Sequence, residues 1–200
     1  MKDNTDYWKK FYNTKQKDLM KPSLFAEFVL TKIKKDCSLI DIACGNGKDT
    51  KFFENNGINV LSLDYSDVPF FLGQNFIKAD ALNFNYKADV YYARFFLHAI
   101  NEKQLNKFLF DRSKNMEKDS LFFIETRSTT GISTKNKEET FYNSGIGDSH
   151  YRMLYSLDYL SSLLATHFKI DYIEESNEFA PFLNHKPFII RAILKKKCGI

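Results

Sequence analysis

Apolar positions in this chain follow two rhythms. Tyr7, Trp8, Phe11 and Tyr12 recur about a helical turn apart, and Leu24, Phe25, Phe28 and Val29 do so again behind Pro22 and Ser23. Two helices are therefore expected at the N-terminus. From Ser38 the rhythm changes. Ser38-Leu39-Ile40-Asp41-Ile42-Ala43 is a short apolar run ending at Gly45-Asn46-Gly47, the pattern of a strand buried on both faces. Residues 48–56 predict a helix closed by Gly57. Ile58 to Leu63 predicts a second strand ending at Asp64, Asn75 to Lys78 a short third before Asp80, and Asp89 to Ala93 a fourth. A helix over Asn101 to Asn115 carries Leu105, Phe108 and Leu109. Leu121 to Ile124 is the fifth strand, ending at Glu125-Thr126-Arg127.

A polar stretch of about twenty residues follows and reads as a long, functional loop. Ser156 then caps a helix bearing Leu157, Leu160, Leu163 and Leu164. Phe168 to Ile173 and Phe188 to Leu194 are the last two strands, and the segment between them is too short for a crossover helix, so they form an antiparallel hairpin. The class is α/β: a doubly wound, mostly parallel seven-stranded sheet with an antiparallel C-terminal hairpin. One domain is expected over 1–200, with an N-terminal helical cap (1–35), a core (36–128) and a third portion (129–200) holding the loop, the helix and the closing hairpin.

Composition narrows the class further. A content of 44% hydrophobic and 16% aromatic residues supports a packed core and excludes a disordered chain. No uncharged apolar run is long enough to predict a membrane span, and MKDNTDYWKK lacks the apolar segment of a secretory leader. Cys37, Cys44 and Cys198 are too far apart for a disulfide framework or a zinc site, so no metal is expected and a reduced, cytoplasmic protein is. The net charge of +4 comes from scattered lysines and the tail cluster Lys195, Lys196 and Lys197. Nucleic-acid domains are usually more basic, so a nucleic acid is not the expected partner. Oligomeric state stays open between monomer and dimer.

In a doubly wound sheet, ligands lie beyond the carboxyl ends of the strands. The first such end reads Asp41-Ile42-Ala43-Cys44-Gly45-Asn46-Gly47-Lys48-Asp49. Its glycines let the backbone approach a ligand, although a glycine pair alone is more often just a turn. Asp64, ending the second strand, can accept bonds from both hydroxyls of a ribose. Asp80, ending the third, can accept from an adenine amino group while Ala81 donates its amide. Three such markers at successive strand ends are hard to obtain by chance.

Two cofactor classes compete for this arrangement. A dinucleotide fingerprint wants a third glycine where Thr50 stands, and Asp49 adds negative charge where a pyrophosphate would sit. A cofactor without phosphate, carrying a sulfonium and an ammonium, is instead welcomed by Asp41 and Asp49. With these motifs the chain resembles the class I S-adenosylmethionine-dependent methyltransferases, whose first motif reads acidic-x-Gly-x-Gly-x-Gly with an acidic residue ending the second strand. The resemblance covers residues 36–128, and the closing hairpin matches the family's seven-stranded sheet. Ala43 and Asp49 stand in place of the outer glycines, and the CGNGKD form is similar to that of small-molecule methyltransferases of the tellurite-resistance and thiopurine type. The resemblance implies S-adenosylmethionine as cofactor, with Asp41, Ala43, Gly45 and Asp49 around its methionine part. It places Asp64 at the ribose, Asp80 and Ala81 at the adenine and Ala93 beside the transferred methyl, with Tyr65 as a further cofactor contact.

The fourth strand ends Tyr92-Ala93-Arg94-Phe95-Phe96-Leu97-His98, without the Asn/Asp-Pro-Pro-Tyr signature of enzymes that methylate nucleobase amino groups. Arg94, Arg127 and Arg152 are three of only five arginines, and all fall in expected ligand-side loops. A guanidinium suits two-point recognition of a carboxylate or phosphate, so these residues, with His150 and Tyr151, are expected to bind a small anionic acceptor. Surface salt bridges are the plainer alternative. His98 and His150 are the candidate general bases, with Glu125 behind them; an acceptor that arrives ionised needs none. Either histidine could instead serve structure or binding. The stripe of Tyr7, Trp8 and Tyr12 is expected to close over the cofactor as a lid, or else simply packs as a helix. Pro-Ser-Leu-Phe-Ala-Glu-Phe and Arg-Phe-Phe-Leu-His are also similar to segments of methyltransferases found with capsule-polysaccharide enzymes, which implies a phosphoramidate or other phosphate-containing precursor as acceptor. An RNA-modifying methyltransferase and a non-catalytic nucleoside-binding module remain as other functions.

Overall fold

Seven strands build one sheet in the order β3-β2-β1-β4-β5-β9-β8, the topology of a Rossmann-like, doubly wound domain. The structure is a computed structural model that describes Tyr7, Lys10 and residues 21–66, 75–143, 149–182 and 185–197. Trp8, Phe11, Tyr12 and Cys198 lie outside the described residues. The strands are β1 (Ser38–Ile42), β2 (Asn59–Asp64), β3 (Phe76–Lys78), β4 (Val90–Arg94), β5 (Leu121–Arg127), β6 (Lys137–Tyr142), β7 (His150–Tyr155), β8 (Phe168–Ser176) and β9 (Ile189–Lys196). The helices are α1 (Leu24–Leu30), α2 (Lys48–Asn55), α3 (Glu102–Asn115) and α4 (Leu157–His167), with a short 3-10 turn at Leu97–Ala99. Strands β1 to β5 pair in parallel, while β9 runs antiparallel to both β5 and β8.

Consecutive strand residues point to opposite faces, and here both faces are buried. Ile40, Tyr91 and Phe122 pack with α3 and α4 on one side. Leu39, Tyr92 and Phe123 pack with Phe25 and Val29 of α1 and Phe53 of α2 on the other. Local signals set the helix starts. Ser23 Oγ accepts from the Ala26 amide at 3.0 Å, Ser156 caps α4, and Asn101 forms a reciprocal capping box with Gln104. Among the described residues no helix is long and apolar enough to cross a membrane.

The expected long loop after β5 is not one. It holds a two-stranded antiparallel hairpin, β6 against β7, pairing Lys137 with Tyr155 through Tyr142 with His150. Strand β6 reads Lys-Glu-Glu-Thr-Phe-Tyr, and its charged first half has poor strand propensity. It forms because β7, buried along nearly its whole length, supplies a partner. The hairpin is tethered to the main sheet by a bridge between Ser128 and Tyr155. Arg94, Arg127 and Arg152 accordingly lie not in loops but at the last residue of β4, the last residue of β5 and within β7.

Candidate active site

Two regions of opposite charge meet at the carboxyl ends of β1, β4 and β5. The first is the turn after β1. Ala43, Gly45 and Gly47 all take positive φ, at 58°, 59° and 76°, and Asp49 is already helical. The left-handed positions of this turn are thus 43, 45 and 47, and Asp49 is not one of them. An L-residue in the left-handed region carries a strain of roughly 1–2 kcal/mol, which marks this turn as built to a required shape. The Cys44 amide donates to the Leu63 carbonyl at 2.9 Å, tying the turn to β2.

Asp64 organises the same turn. It accepts the Gly45 amide at 2.8 Å, and the Ser66 amide and hydroxyl at 2.8 and 2.7 Å. A carboxylate offers about four acceptor sites, so this half-buried group keeps capacity for ligand hydroxyls. Asp80 sits in a turn of its own, accepting from the Leu82 amide at 2.9 Å and the Asn83 side chain at 2.7 Å, with Ala81 buried beside it. Tyr65 is exposed, and Ala93 is buried in β4 between Ile42 and Ile124. Asp41 is buried and accepts from Thr50 Oγ1 at 2.6 Å. Burial pushes its carboxyl up to about 8, and the charges of Asp49 and Asp64 add to that.

Asp49 departs from the expected role. Oδ1 accepts the Ser23 amide at 2.7 Å, and Oδ2 accepts the Ser23 hydroxyl at 2.7 Å and the Tyr92 hydroxyl at 2.8 Å. In this structure both oxygens fasten α1 to α2 and β4. The sequence pattern did not disclose that joint.

The second region is cationic. Glu125, fully buried, accepts from Arg94 Nε at 2.9 Å and from Arg191 Nε at 2.8 Å, one arginine on each oxygen. Phe95 follows β4 at φ 58°, a rare conformation for a bulky residue, fixed by its amide donating to the Glu125 carbonyl at 2.8 Å. Its ring lies 4.3 Å from the Arg94 guanidinium, 5.3 Å from that of Arg127 and 5.4 Å from the His98 ring. His98 is buried, and its Nδ1 accepts the Arg127 amide at 3.3 Å and lies 3.2 Å from Thr126 Oγ1. His150, also buried, uses Nε2 to accept from Arg152 Nε at 3.0 Å and makes a further bond with the Tyr142 backbone. Burial and the nearby arginines push both imidazoles below their ordinary range, His150 to about 4, so both are neutral at pH 7.

Arg152 lies within the electrostatic field of Arg127. Burial first, and Arg127 second, push Arg152 down to about 9, and the Arg152 guanidinium lies over the Tyr142 ring at 3.9 Å. Arg127 Nε is buried without a hydrogen-bond partner among the described residues. Tyr7 stacks on His150 at 4.1 Å between centroids, which sets this residue of the expected lid against the cationic region. Tyr151, by contrast, alternates to the opposite face of β7 and packs in the main core, away from the arginines. The arginine–glutamate–arginine bridge, Tyr142 and the strained Phe95 were not visible in the sequence, because each depends on contacts between distant segments. Among the described residues no group of three or more His, Cys, Asp or Glu is arranged to hold a metal.

No family model matches the sequence, and no curated protein matches it. Solved structures do match the fold. A 1,6-didemethyltoxoflavin-N1-methyltransferase from Burkholderia thailandensis, bound to 1,6-didemethyltoxoflavin and S-adenosylhomocysteine, matches with a TM-score of 0.72 at 15% identity, over 98% of this chain and 92% of that one. An S-adenosylmethionine-dependent methyltransferase from Clostridium acetobutylicum matches with 0.69 at 14%, over 97% and 99% of the two chains. A TehB-like S-adenosylmethionine-dependent methyltransferase from Corynebacterium glutamicum matches with 0.66 at 13%, over 97% and 98%. This chain has the Rossmann-like fold of those methyltransferases.

Proposed function

We propose that the protein is a cytoplasmic S-adenosylmethionine-dependent methyltransferase acting on a small anionic acceptor. The observation that carries this reading is the meeting of an acidic cofactor side with a cationic acceptor side at the ends of β1, β4 and β5. Asp41, Asp64 and Asp80 suit a ligand that offers an ammonium group, ribose hydroxyls and an adenine amine. When bound, the cofactor supplies an activated methyl group on a sulfonium. The protein's part is to hold the acceptor in line and dry, which supplies much of the rate in a displacement. Arg127 and Arg152 orient the anion, Arg94 and Phe95 form the wall between it and Asp41, and Tyr7 closes one side over His150. A phosphoramidate or other phosphate-containing precursor of surface polysaccharide is the acceptor in keeping with this charge.

Titration calorimetry with S-adenosylhomocysteine tests the reading, with NAD as control. Binding in the micromolar range, about −8 kcal/mol, is expected. Asp64→Ala should weaken it by on the order of 10- to 100-fold, since charge-assisted bonds to ligand hydroxyls are removed. Binding of NAD in its place would defeat the proposal.

A further inference from the structure

Resting on that reading, we propose that Arg127 and Arg152 form a site for a phosphoryl-type dianion whose ionised oxygen is itself the methyl acceptor, so that the protein supplies no general base. Two independent observations lead here.

The first is unmatched charge. Arg152 has Arg127, Tyr142 and Tyr7 as its electrostatic neighbours, and no carboxylate among the described residues. Arg127 has Glu125 within reach, but that carboxylate is already bonded to Arg94 and Arg191. Two like charges close enough to act on each other in a desolvated place, one with a buried Nε lacking a partner among the described residues, cost stability unless a ligand brings negative charge. Two unpaired positive charges ask for two negative ones, which a phosphoryl dianion brings on a single group and a carboxylate does not.

The second is that the candidate bases are spent. His98 Nδ1 takes the Arg127 amide, His150 Nε2 takes Arg152 Nε, and Glu125 is fully buried between Arg94 and Arg191. A neutral imidazole has one acceptor nitrogen, and in both histidines it is occupied. An acceptor hydroxyl would find no group here to take its proton. An ionised oxygen needs none: it attacks the sulfonium methyl, the S–CH3 bond breaks as the O–CH3 bond forms, the electron pair stays on sulfur, and no proton moves. The histidines then act as positioning residues, holding Arg127 and Arg152 in place. The methylated product carries one negative charge fewer than the acceptor and so binds this site more weakly.

The experiment is calorimetric titration of inorganic phosphate, above its second ionisation, into protein loaded with either S-adenosylhomocysteine or sinefungin. The first nucleoside is neutral where the methyl would be; the second carries an ammonium there. An oxygen seated against the methyl position should make phosphate bind about tenfold tighter in the sinefungin complex. Arg127→Gln and Arg152→Gln should each lower phosphate affinity by about tenfold or more, with nucleoside binding as the check that the variant is folded. Acetate should bind far more weakly than phosphate. Equal phosphate affinity in the two complexes would mean that the anion is a remote handle, and would overturn the proposal. So would phosphate failing to bind protein that does bind the nucleosides. If neither nucleoside binds, the methyltransferase reading itself falls, whatever phosphate does.

Discussion

The two halves of the candidate site are assembled by different means. On the proposed cofactor side the acidic groups are held from no further than 19 positions away: Asp80 by residues two and three further on, Asp41 by Thr50, and Asp64 by Ser66 and Gly45. On the acceptor side the contacts span the chain. Glu125 meets Arg191 across 66 residues, and Tyr7 stacks on His150. The cofactor half therefore comes with the strand-turn-helix units that make the fold. The acceptor half exists only once β5, β7, β9 and the N-terminal segment have come together, and it concentrates like charge that folding must tolerate.

The largest consequence concerns Glu125. Glu125→Gln leaves Arg191, itself buried, and the partly exposed Arg94 without their carboxylate, and should cost about 3–5 kcal/mol in denaturant unfolding. A cost below about 1 kcal/mol, typical of an exposed pair, would show that the acceptor half is not held by this bridge.

The next effect separates the halves by pH. Asp41 has its carboxyl raised to about 8 in the ligand-free protein, above its unfolded value, so its contribution to stability is fully present at low pH. That contribution is lost as the pH rises from about 4 towards about 8. His150 is lowered to about 4, so its contribution is present above its unfolded value near 6.5 and is lost as the pH falls towards 4. Thermal melts of Asp41→Asn should therefore lose part of the destabilisation at rising pH, and those of His150→Gln part of that at falling pH. Identical pH profiles for both variants and the parent would remove the electrostatic distinction between the halves. If the proposed cofactor sets its ammonium against Asp41, whose carboxyl is raised to about 8, nucleoside binding at pH 7 should also release a proton, visible as a buffer-dependent heat.

The smallest effect lies in the glycine turn. Ala43→Gly relieves a left-handed alanine but adds freedom to the unfolded chain, for a net gain of about 0.5–1 kcal/mol. A loss would indicate that the Ala43 methyl packs usefully in the turn.

Much of this protein was written in local pattern. Apolar runs located all seven strands of the main sheet, most clearly β1, β4 and β5, because a strand buried on both faces leaves few polar residues to confuse the reading. Capping residues located α1 and α4, because orphan amides must find an acceptor within a few residues, while α3 was read from the spacing of Leu105, Phe108 and Leu109. Asp64 ends β2 as the sequence put it, and Asp80 lies two residues beyond β3. The hairpin of β6 and β7 was hidden, because a strand of lysine and glutamate is stabilised by its partner and not by its own composition. The same holds for function. The sequence could name Asp49, Tyr151, Glu125 and the histidines as candidates by type. Only tertiary structure turned Asp49 towards Ser23 and Tyr92, sent Tyr151 to the core, occupied one nitrogen of each histidine and brought Arg152 into the field of Arg127. Hydrogen-bond capacity and charge balance belong to sets of residues brought together from distant parts of the chain, and a linear pattern does not record which members of the set will meet.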